Sequence, residues 1–144
     1  MTRTIITKEE FYKSLKDDNL RSNINLNFEI CIDSSIVDWH YREIKSVVFE
    51  EIVVVKNVEI NSGLSFVNCE FKKGIVFSNV QSTNYNSTYN SESSSISFSK
   101  CIASEILFSN QCFFSRNVVI KNDCKISLRV HLRDTKILSS GLSI

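Results

Sequence analysis

The residues of this chain with the most reactive side chains are five cysteines and two histidines. The cysteines are Cys31, Cys69, Cys101, Cys112 and Cys124. A structural zinc site needs paired ligands two to four residues apart, and a disulfide framework needs an even set, so this spacing predicts neither. His40 and His131 lie far apart in the chain, so a nucleophilic Cys/His pair would depend on the tertiary fold. We expect reduced core thiols, and no metal or cofactor.

Acidic residues are spread thinly through the second part of the chain. They are Glu59, Glu70, Glu105, Asp123 and Asp134. Enzymes that cleave glycans need converging acidic and basic groups, and phosphate-binding loops need clustered glycines, whereas Gly63, Gly74 and Gly141 are scattered. We therefore predict that the protein is not an enzyme. A glycan-binding or glycan-active β-helix is kept as an alternative.

The composition is that of one globular domain. The 144 residues are 42% hydrophobic and 23% charged, with a net charge of +1, which excludes a disordered tail and argues against nucleic acid as the partner. The chain has no proline and only three glycines, but 23 Ser and 14 Asn. No apolar run approaches the roughly 20 residues of a membrane span, and the N-terminus carries no apolar signal core. We expect a cytoplasmic protein without membrane contact.

Residues 1–22 are predicted to hold a short capping α-helix. Thr7 followed by Glu10 is a capping box, in which each side chain satisfies a free backbone donor at the start of a helix. Phe11 and Leu15 then lie on one face, four residues apart. That face would cover whatever structure follows.

The pattern next changes to a period of two. Alternate positions carry five apolar side chains: Ile24, Leu26, Phe28, Ile30 and Ile32. A period of two is typical of a strand with one buried face, so residues 24–32 are predicted to form one continuous strand.

A longer repeat begins at Val53. Units aligned on the form apolar-x-apolar-x-Asn, with Asn at the last position in five of the seven, begin at Val53, Leu64, Ile75, Ile96, Ile106, Val118 and Leu128. Successive units begin 11, 11, 21, 10, 12 and 10 residues apart. Such a period indicates stacked coils, so residues 23–144 are predicted to form an all-β, right-handed parallel β-helix of about five coils. Strands at this spacing also suit a β-sandwich, which is the alternative.

Asparagine closes most of these units. The residues are Asn57, Asn68, Asn79, Asn110 and Asn122. Asparagine tolerates the left-handed backbone conformation that a corner requires, and its amide can bond to the corner of the next coil. We predict a structural ladder of Asn side chains.

Parts of the repeat have a finer step of five residues. LSFVN-CEFKK and ISFSK-CIASE-ILFSN are examples, and over about residues 64–118 the chain resembles the pentapeptide-repeat proteins. The resemblance implies five-residue units stacked four to a coil in a right-handed β-helix. The intervals between units that are not multiples of five depart from that strict step.

One segment, residues 81–95, lies outside the repeat and has no aliphatic residue. We predict an inserted loop, in which Tyr85 and Tyr89 are candidates for binding a partner because tyrosine is frequent at binding hot spots.

Charge changes sign along the chain. Residues 1–51 are net acidic, whereas residues 116–144 are net basic. The cations of that end are Arg116, Lys121, Lys125, Arg129, Arg133 and Lys136. They are candidates for binding an anionic partner, although such charges also keep a sheet edge soluble.

The C-terminal coil has no predicted cap. Its apolar residues are Ile137, Leu138, Leu142 and Ile144. A solenoid end exposes apolar side chains and strand edges, so we expect a homodimer through this coil. The resulting functional expectation is a non-catalytic protein–protein interaction or scaffold module whose partner protein is unidentified.

Overall fold

The computed structural model describes residues 4–17, 22–33, 42–60, 63–82, 95–115, 118–121, 123–137 and 142–143. Within these ranges the chain forms one helix, α1 (Lys8–Lys16), and sixteen strands. Nine strands precede residue 83: β1 (Thr4–Ile5), β2 (Ile24–Leu26), β3 (Ile30–Ile32), β4 (Arg42–Lys45), β5 (Val47–Phe49), β6 (Val53–Glu59), β7 (Leu64–Val67), β8 (Glu70–Phe71) and β9 (Ile75–Ser82). Seven follow residue 94: β10 (Ile96–Ser99), β11 (Ile102–Ser109), β12 (Phe113–Phe114), β13 (Val118–Lys121), β14 (Lys125–Leu132), β15 (Lys136–Ile137) and β16 (Leu142–Ser143).

Helix α1 begins at the predicted capping box. The Thr7 hydroxyl accepts the Glu10 backbone N–H at 3.1 Å, and the Glu10 carboxylate accepts the Thr7 N–H at 3.3 Å. Phe11 and Leu15 are buried, and the Phe11 ring lies edge-on to Phe49 of β5 at 6.3 Å. The apolar face of the helix therefore packs on the first coils.

The strands stack in parallel, each on the strand one coil further along the chain. Val53 lies opposite Ile75, and Leu64 lies opposite Ile96. A five-stranded sheet of β4, β7, β10, β13 and β16 has one strand from each level, so the chain passes through five levels in about four turns. The predicted right-handed parallel β-helix is confirmed, and the β-sandwich, which needs antiparallel sheets, is excluded.

Paired inward side chains fill the interior. In the third level these pairs are Cys69 and Phe71, Ile75 and Phe77, Val80 and Ser82, and Ile96 and Phe98. Aromatic rings stack between levels in the pairs Phe49–Phe71, Phe66–Phe98 and Phe77–Phe108, with centroids 4.9, 5.2 and 4.8 Å apart. Rings in register maximise contact area, so each level is held by the next.

The predicted continuous strand over residues 24–32 is wrong. It consists of two strands, β2 and β3, which lie on different sides of the coil and pair with β5 and β6 respectively. Phe28 lies between them and is only half-buried. The backbone turns a corner there, so Phe28 does not join the inward row.

The fourth level has one short corner. Ile102 lies opposite Glu70, and Ile106 lies opposite Ile75. The fourth level therefore covers in four residues the distance that the third level covers in five. This missing residue explains the short interval between the repeat units that begin at Ile96 and Ile106. Strand β11 is continuous at the position where the third level has a corner with one more residue.

The solenoid accommodates this short corner in two ways. Gly74 has φ of +88°, and a Cβ atom there would lie 2.9 Å from the backbone oxygen of Glu105, so the level below is shaped to let β11 pass. The missing residue is restored at the next corner, where Asn110 and Gln111 both have positive φ. The long interval that follows in the repeat therefore compensates for the short one.

Candidate functional site

The corner asparagines have the backbone conformation that their residue type favours. Asn57, Asn68, Asn79 and Asn110 have φ between 51° and 55°. Asn122 lies outside the described residues, and Asp123 beside it has φ of 66°. These residues occupy the turns that set the shape of the coil.

Their side chains form two short columns at different corners. In one column, the Asn79 amide donates to the Asn57 carbonyl oxygen at 3.0 Å. In the other, the Asn68 amide donates to the Ser46 hydroxyl at 3.1 Å. Asn110 likewise donates to a hydroxyl, that of Ser78, at 2.7 Å. These bonds join neighbouring levels and leave the asparagines a structural role.

Three of the five thiols are buried, which limits their access to a substrate. All five cysteines are free, and Cys69, Cys101 and Cys112 are buried. Cys101 lies in one inward column with Cys69 below and Cys124 above, and its thiol donates to the Phe66 carbonyl oxygen at 3.4 Å. The contact between the two thiols lowers the pKa of Cys69 and, together with burial, holds the pKa of Cys101 far above its ordinary value. Burial also raises the pKa of Cys112 and Cys124.

Acidic groups do not converge in the described part of the chain. Glu59 lies opposite Gln81, and Glu105 lies opposite Arg129, on different sides of the coil. Within the described ranges no three His, Cys, Asp or Glu side chains come close enough together to hold a metal ion. His131 faces outward beside Leu107, and His40 lies outside the described residues.

The residues at both ends of the predicted insertion belong to the coil stack. Gln81 and Ser82 belong to β9, and the buried hydroxyls of Ser82 and Ser95 lie 3.3 Å apart. The coil therefore brings together the two residues on either side of residues 83–94, which lie outside the described residues. Tyr85 and Tyr89 fall in that range, outside the described residues.

The cations of the last two levels surround the coil. Those described are Lys121, Lys125, Arg129, Arg133 and Lys136, all exposed, whereas Arg116 lies outside the described residues. Lys125 lies opposite Ile102 on one side and Lys136 lies opposite Phe113 on another. Arg129 forms an ion pair with Glu105 at 2.9 Å. The fold therefore does not gather these cations into one patch.

The last level is incompletely covered. Its inward residues Ile126, Val130 and Ile137 are partly exposed, although their neighbours one level earlier are buried. Of the residues predicted to form a dimer contact, Leu142 lies in β16, whereas Leu138 and Ile144 lie outside the described residues.

Two ion pairs link the second and third levels at one corner. Lys72 meets Glu50 at 3.0 Å, and Lys73 meets Glu51 at 2.7 Å. Hydrogen bonds from Asn25 and Lys72 lower the pKa of Glu50. The two acids precede the two lysines by one coil length, so these pairs hold neighbouring levels in register.

One side of the solenoid carries a pattern that the repeat analysis missed. This side, the outer face, consists of β3, β6, β9, the second half of β11, and β14, stacked in register. Every level contributes three outward residues to this face, and one inward residue separates each from the next. From the first level to the fifth they are Glu29, Cys31, Asp33; Ile52, Val54, Lys56; Gly74, Val76, Ser78; Glu105, Leu107, Ser109; and Arg129, His131, Arg133.

The outer face is acidic in its first level and basic in its fifth, and its central column is aliphatic in the three levels between, where Lys56 and Glu105 are the charged residues at the margins. Glu29 and Asp33 frame the first level, and Arg129 and Arg133 frame the fifth. The central column is Cys31, Val54, Val76, Leu107 and His131, and all five are half-buried. The sequence signal that could have found this face is an aliphatic residue between the two inward residues of a unit, repeated in three successive coils.

Comparison of the chain with protein-family models, curated proteins and solved structures found no match. The helix in the described part of the chain, α1, has nine residues and is too short to cross a membrane.

Proposed function

We propose that the protein is a non-catalytic protein–protein interaction module that presents the outer face to another protein chain. The observation that carries this proposal is the central column, in which Val54, Val76 and Leu107 stack as outward aliphatic side chains on a parallel sheet. Charged residues border the column at both ends. An apolar centre with a polar rim is the usual composition of a protein interface.

The rigidity of the solenoid supports the same function. Val54 and Val76 lie on strands whose inward residues, such as Val55 and Phe77, are fully buried. A surface held by such packing loses little conformational entropy when it binds, so a modest apolar area yields more net affinity than a mobile loop would.

Site-specific photo-crosslinking in the native host tests this function. A photoreactive residue at position 76 should form adducts with a protein chain, because position 76 is at the centre of the outer face. The matched control is Ser97, an outward, half-buried position on the other sheet. Equal labelling from both positions, or no protein adduct from position 76, would contradict the proposal.

The open C-terminal level is a second contact surface in this proposal. Ile126, Val130 and Ile137 of this level are partly exposed, which supports the proposal that another protein chain covers the level. The sequence prediction of a homodimer through Ile137, Leu138, Leu142 and Ile144 is one form of such a contact. Leu142→Asp would disrupt it.

A binder of an anionic partner is the second candidate function. It is favoured by the exposed Lys125, Arg133 and Lys136, which have no ion-pair partner among the described residues. Binding of a polyanion that weakens steeply with added salt, and is lost in Lys125→Ala with Arg133→Ala, would support it. A glycan-binding or glycan-active role has no specific observation in its favour.

We also infer an irregular relationship to pentapeptide-repeat solenoids and a cytoplasmic setting. Four pairs of inward side chains per coil support the first inference, although the corners vary in length. Free cysteines support the second, because thiols stay reduced in the cytosol.

A further inference from the structure

We propose that the outer face binds a second copy of this chain, with the two solenoids antiparallel. The two-fold axis would lie in the interface, along the strand direction, and pass through Val76. This proposal rests on the proposed interaction function and names the partner. It follows from the order of charges along the face, which is self-complementary only in this orientation.

The charged ends of the face match under that symmetry. The first level of one copy meets the fifth level of the other, while positions along the strand are preserved. Glu29 then lies opposite Arg129 of the second copy, and Asp33 lies opposite Arg133 of the second copy. Because the symmetry repeats each pair, four oppositely charged pairs form around the interface.

The apolar middle of the face matches as well. Val54 meets Leu107 of the second copy, and Val76 meets its own symmetry mate. Neighbouring Ser78 and Ser109 are small, so two such sheets can approach to the roughly 10 Å of ordinary face-to-face packing. Lys56 meets Ser109 of the second copy and Glu105 meets Ile52, so neither is placed against a like charge. Arg129, which pairs with Glu105 of its own chain at 2.9 Å, lies between that carboxylate and Glu29 of the second copy.

Other dimers of this chain bring like charges together. A face-to-face dimer with parallel solenoid axes places Glu29 against Asp33 of the second copy, so acidic groups meet each other. An end-on dimer through the last level brings the cations Lys125, Arg129 and Lys136 close to their own copies. The antiparallel face dimer avoids both arrangements and leaves the C-terminal level free for a different protein.

The size of the face sets the expected strength. Five strands about 4.8 Å apart and five residues of about 3.3 Å each give roughly 400 Å² per copy. This is about half the area of a standard interface, so a weak, concentration-dependent dimer is expected.

Sedimentation equilibrium of the purified chain from about 5 to 500 μM tests the proposal, since this range brackets weak association. Wild type should shift from monomer toward dimer, and more so at low salt because exposed charges are screened by ions. Val76→Asp should weaken association at least about tenfold, as expected for a charge at the interface centre. Ser97→Asp, on the other sheet, should not change it.

Charge reversal gives a result that misfolding cannot imitate. Glu29→Arg with Asp33→Arg makes both ends basic, and Arg129→Glu with Arg133→Glu makes both ends acidic. Each variant alone should be monomeric, whereas an equimolar mixture should form a heterodimer. Restored association in the mixture shows that the charged ends of the two faces take part in the contact, and the dimer of the wild type requires the antiparallel order, because only that order pairs its own opposite charges.

Two results would overturn the proposal. One is a monomeric wild type over the whole range. The other is a dimer that Val76→Asp leaves intact, and loss of that dimer in Leu142→Asp would assign it to the C-terminal level. A crosslink from position 76 to a different protein would preserve the proposed function even if the purified chain stayed monomeric.

Discussion

The Tyr12 hydroxyl accepts a hydrogen bond from the backbone N–H of Cys31 at 2.8 Å. Cys31 lies in β3, which pairs on one side with β6 and, among the described strands, with no other. The helix thus supplies a side-chain acceptor to a strand edge that would otherwise leave a main-chain donor unbonded. Tyr12 thereby closes the N-terminal end of the sheet that carries the outer face.

Removing that hydroxyl should destabilise the protein. Tyr12→Phe keeps the ring but leaves the Cys31 N–H without its partner, so a loss of about 1–2 kcal/mol is expected in chemical denaturation. Amide exchange at Cys31 should accelerate. Ser14→Ala is the control, because the Ser14 hydroxyl bonds to Phe11 within the same helix. An equal loss in both variants would assign the effect to the helix itself.

Two variants of Asn79 separate the backbone role of a corner residue from its side-chain bond. Asn79→Gly removes the amide that donates to Asn57 but tolerates the φ of 51°. Asn79→Ala removes the amide and also places a Cβ atom in the left-handed region. Urea denaturation should find Ala less stable than Gly by about 1 kcal/mol. Equal stabilities would show that the corner relaxes away from positive φ.

The short corner of the fourth level makes Gly74 intolerant of a side chain. In Gly74→Ala, the new Cβ atom would meet the Glu105 backbone oxygen, and backbone strain of this kind costs about 1–3 kcal/mol. Thermal unfolding measures the loss. Inserting one glycine after Ser104 restores the corner to its usual length and should recover part of the stability. No recovery would mean that the corner length is not the cause.

The buried thiols should resist modification in the folded protein. A thiol-reactive dye at pH 8 should label Cys69, Cys101 and Cys112 only after unfolding, because burial limits access and the pKa of Cys101 and of Cys112 is raised. Burial raises the pKa of the Cys112 thiol, so its contribution to stability is present below the ordinary thiol value of about 8.5 and is lost as the pH rises above it.

Substitution in the thiol column gives a second measure of the same burial. Cys101→Val should be nearly neutral because it preserves an apolar side chain of similar size, whereas Cys101→Asp should cost several kcal/mol. Rapid labelling of Cys101 in the native state would contradict both expectations.

Acid stability should depend on Glu50. Its pKa is lowered by hydrogen bonds from Asn25 and Lys72, so the stabilisation is present above the ordinary glutamate value and is lost as the pH falls through the lowered one. Glu50→Gln should flatten the acid side of the stability curve. Asn25→Ala should do so in part, because it removes the first of these hydrogen bonds. An unchanged curve in both variants would exclude the interaction.

The features that the sequence determined by itself are local or strictly repeated. The capping box joins residues three positions apart, so Thr7 and Glu10 specify where α1 begins. The inward pairs recur in every coil, so the β-helix is readable without knowing which coil contacts which. A corner such as Asn57 is visible because it advances the inward residues from Val55 to Val58, three positions, which breaks the period of two.

Other features were decided only by the tertiary structure. The corner between Leu26 and Ile30 spans four positions and preserves the period of two, so no local signal marks it. The Tyr12–Cys31 bond joins a helix to a strand edge that exists only once the coils have stacked. The outer face likewise depends on register between levels that lie a full coil apart in the chain, because only that register aligns Glu29 and Arg129 at opposite ends of one column.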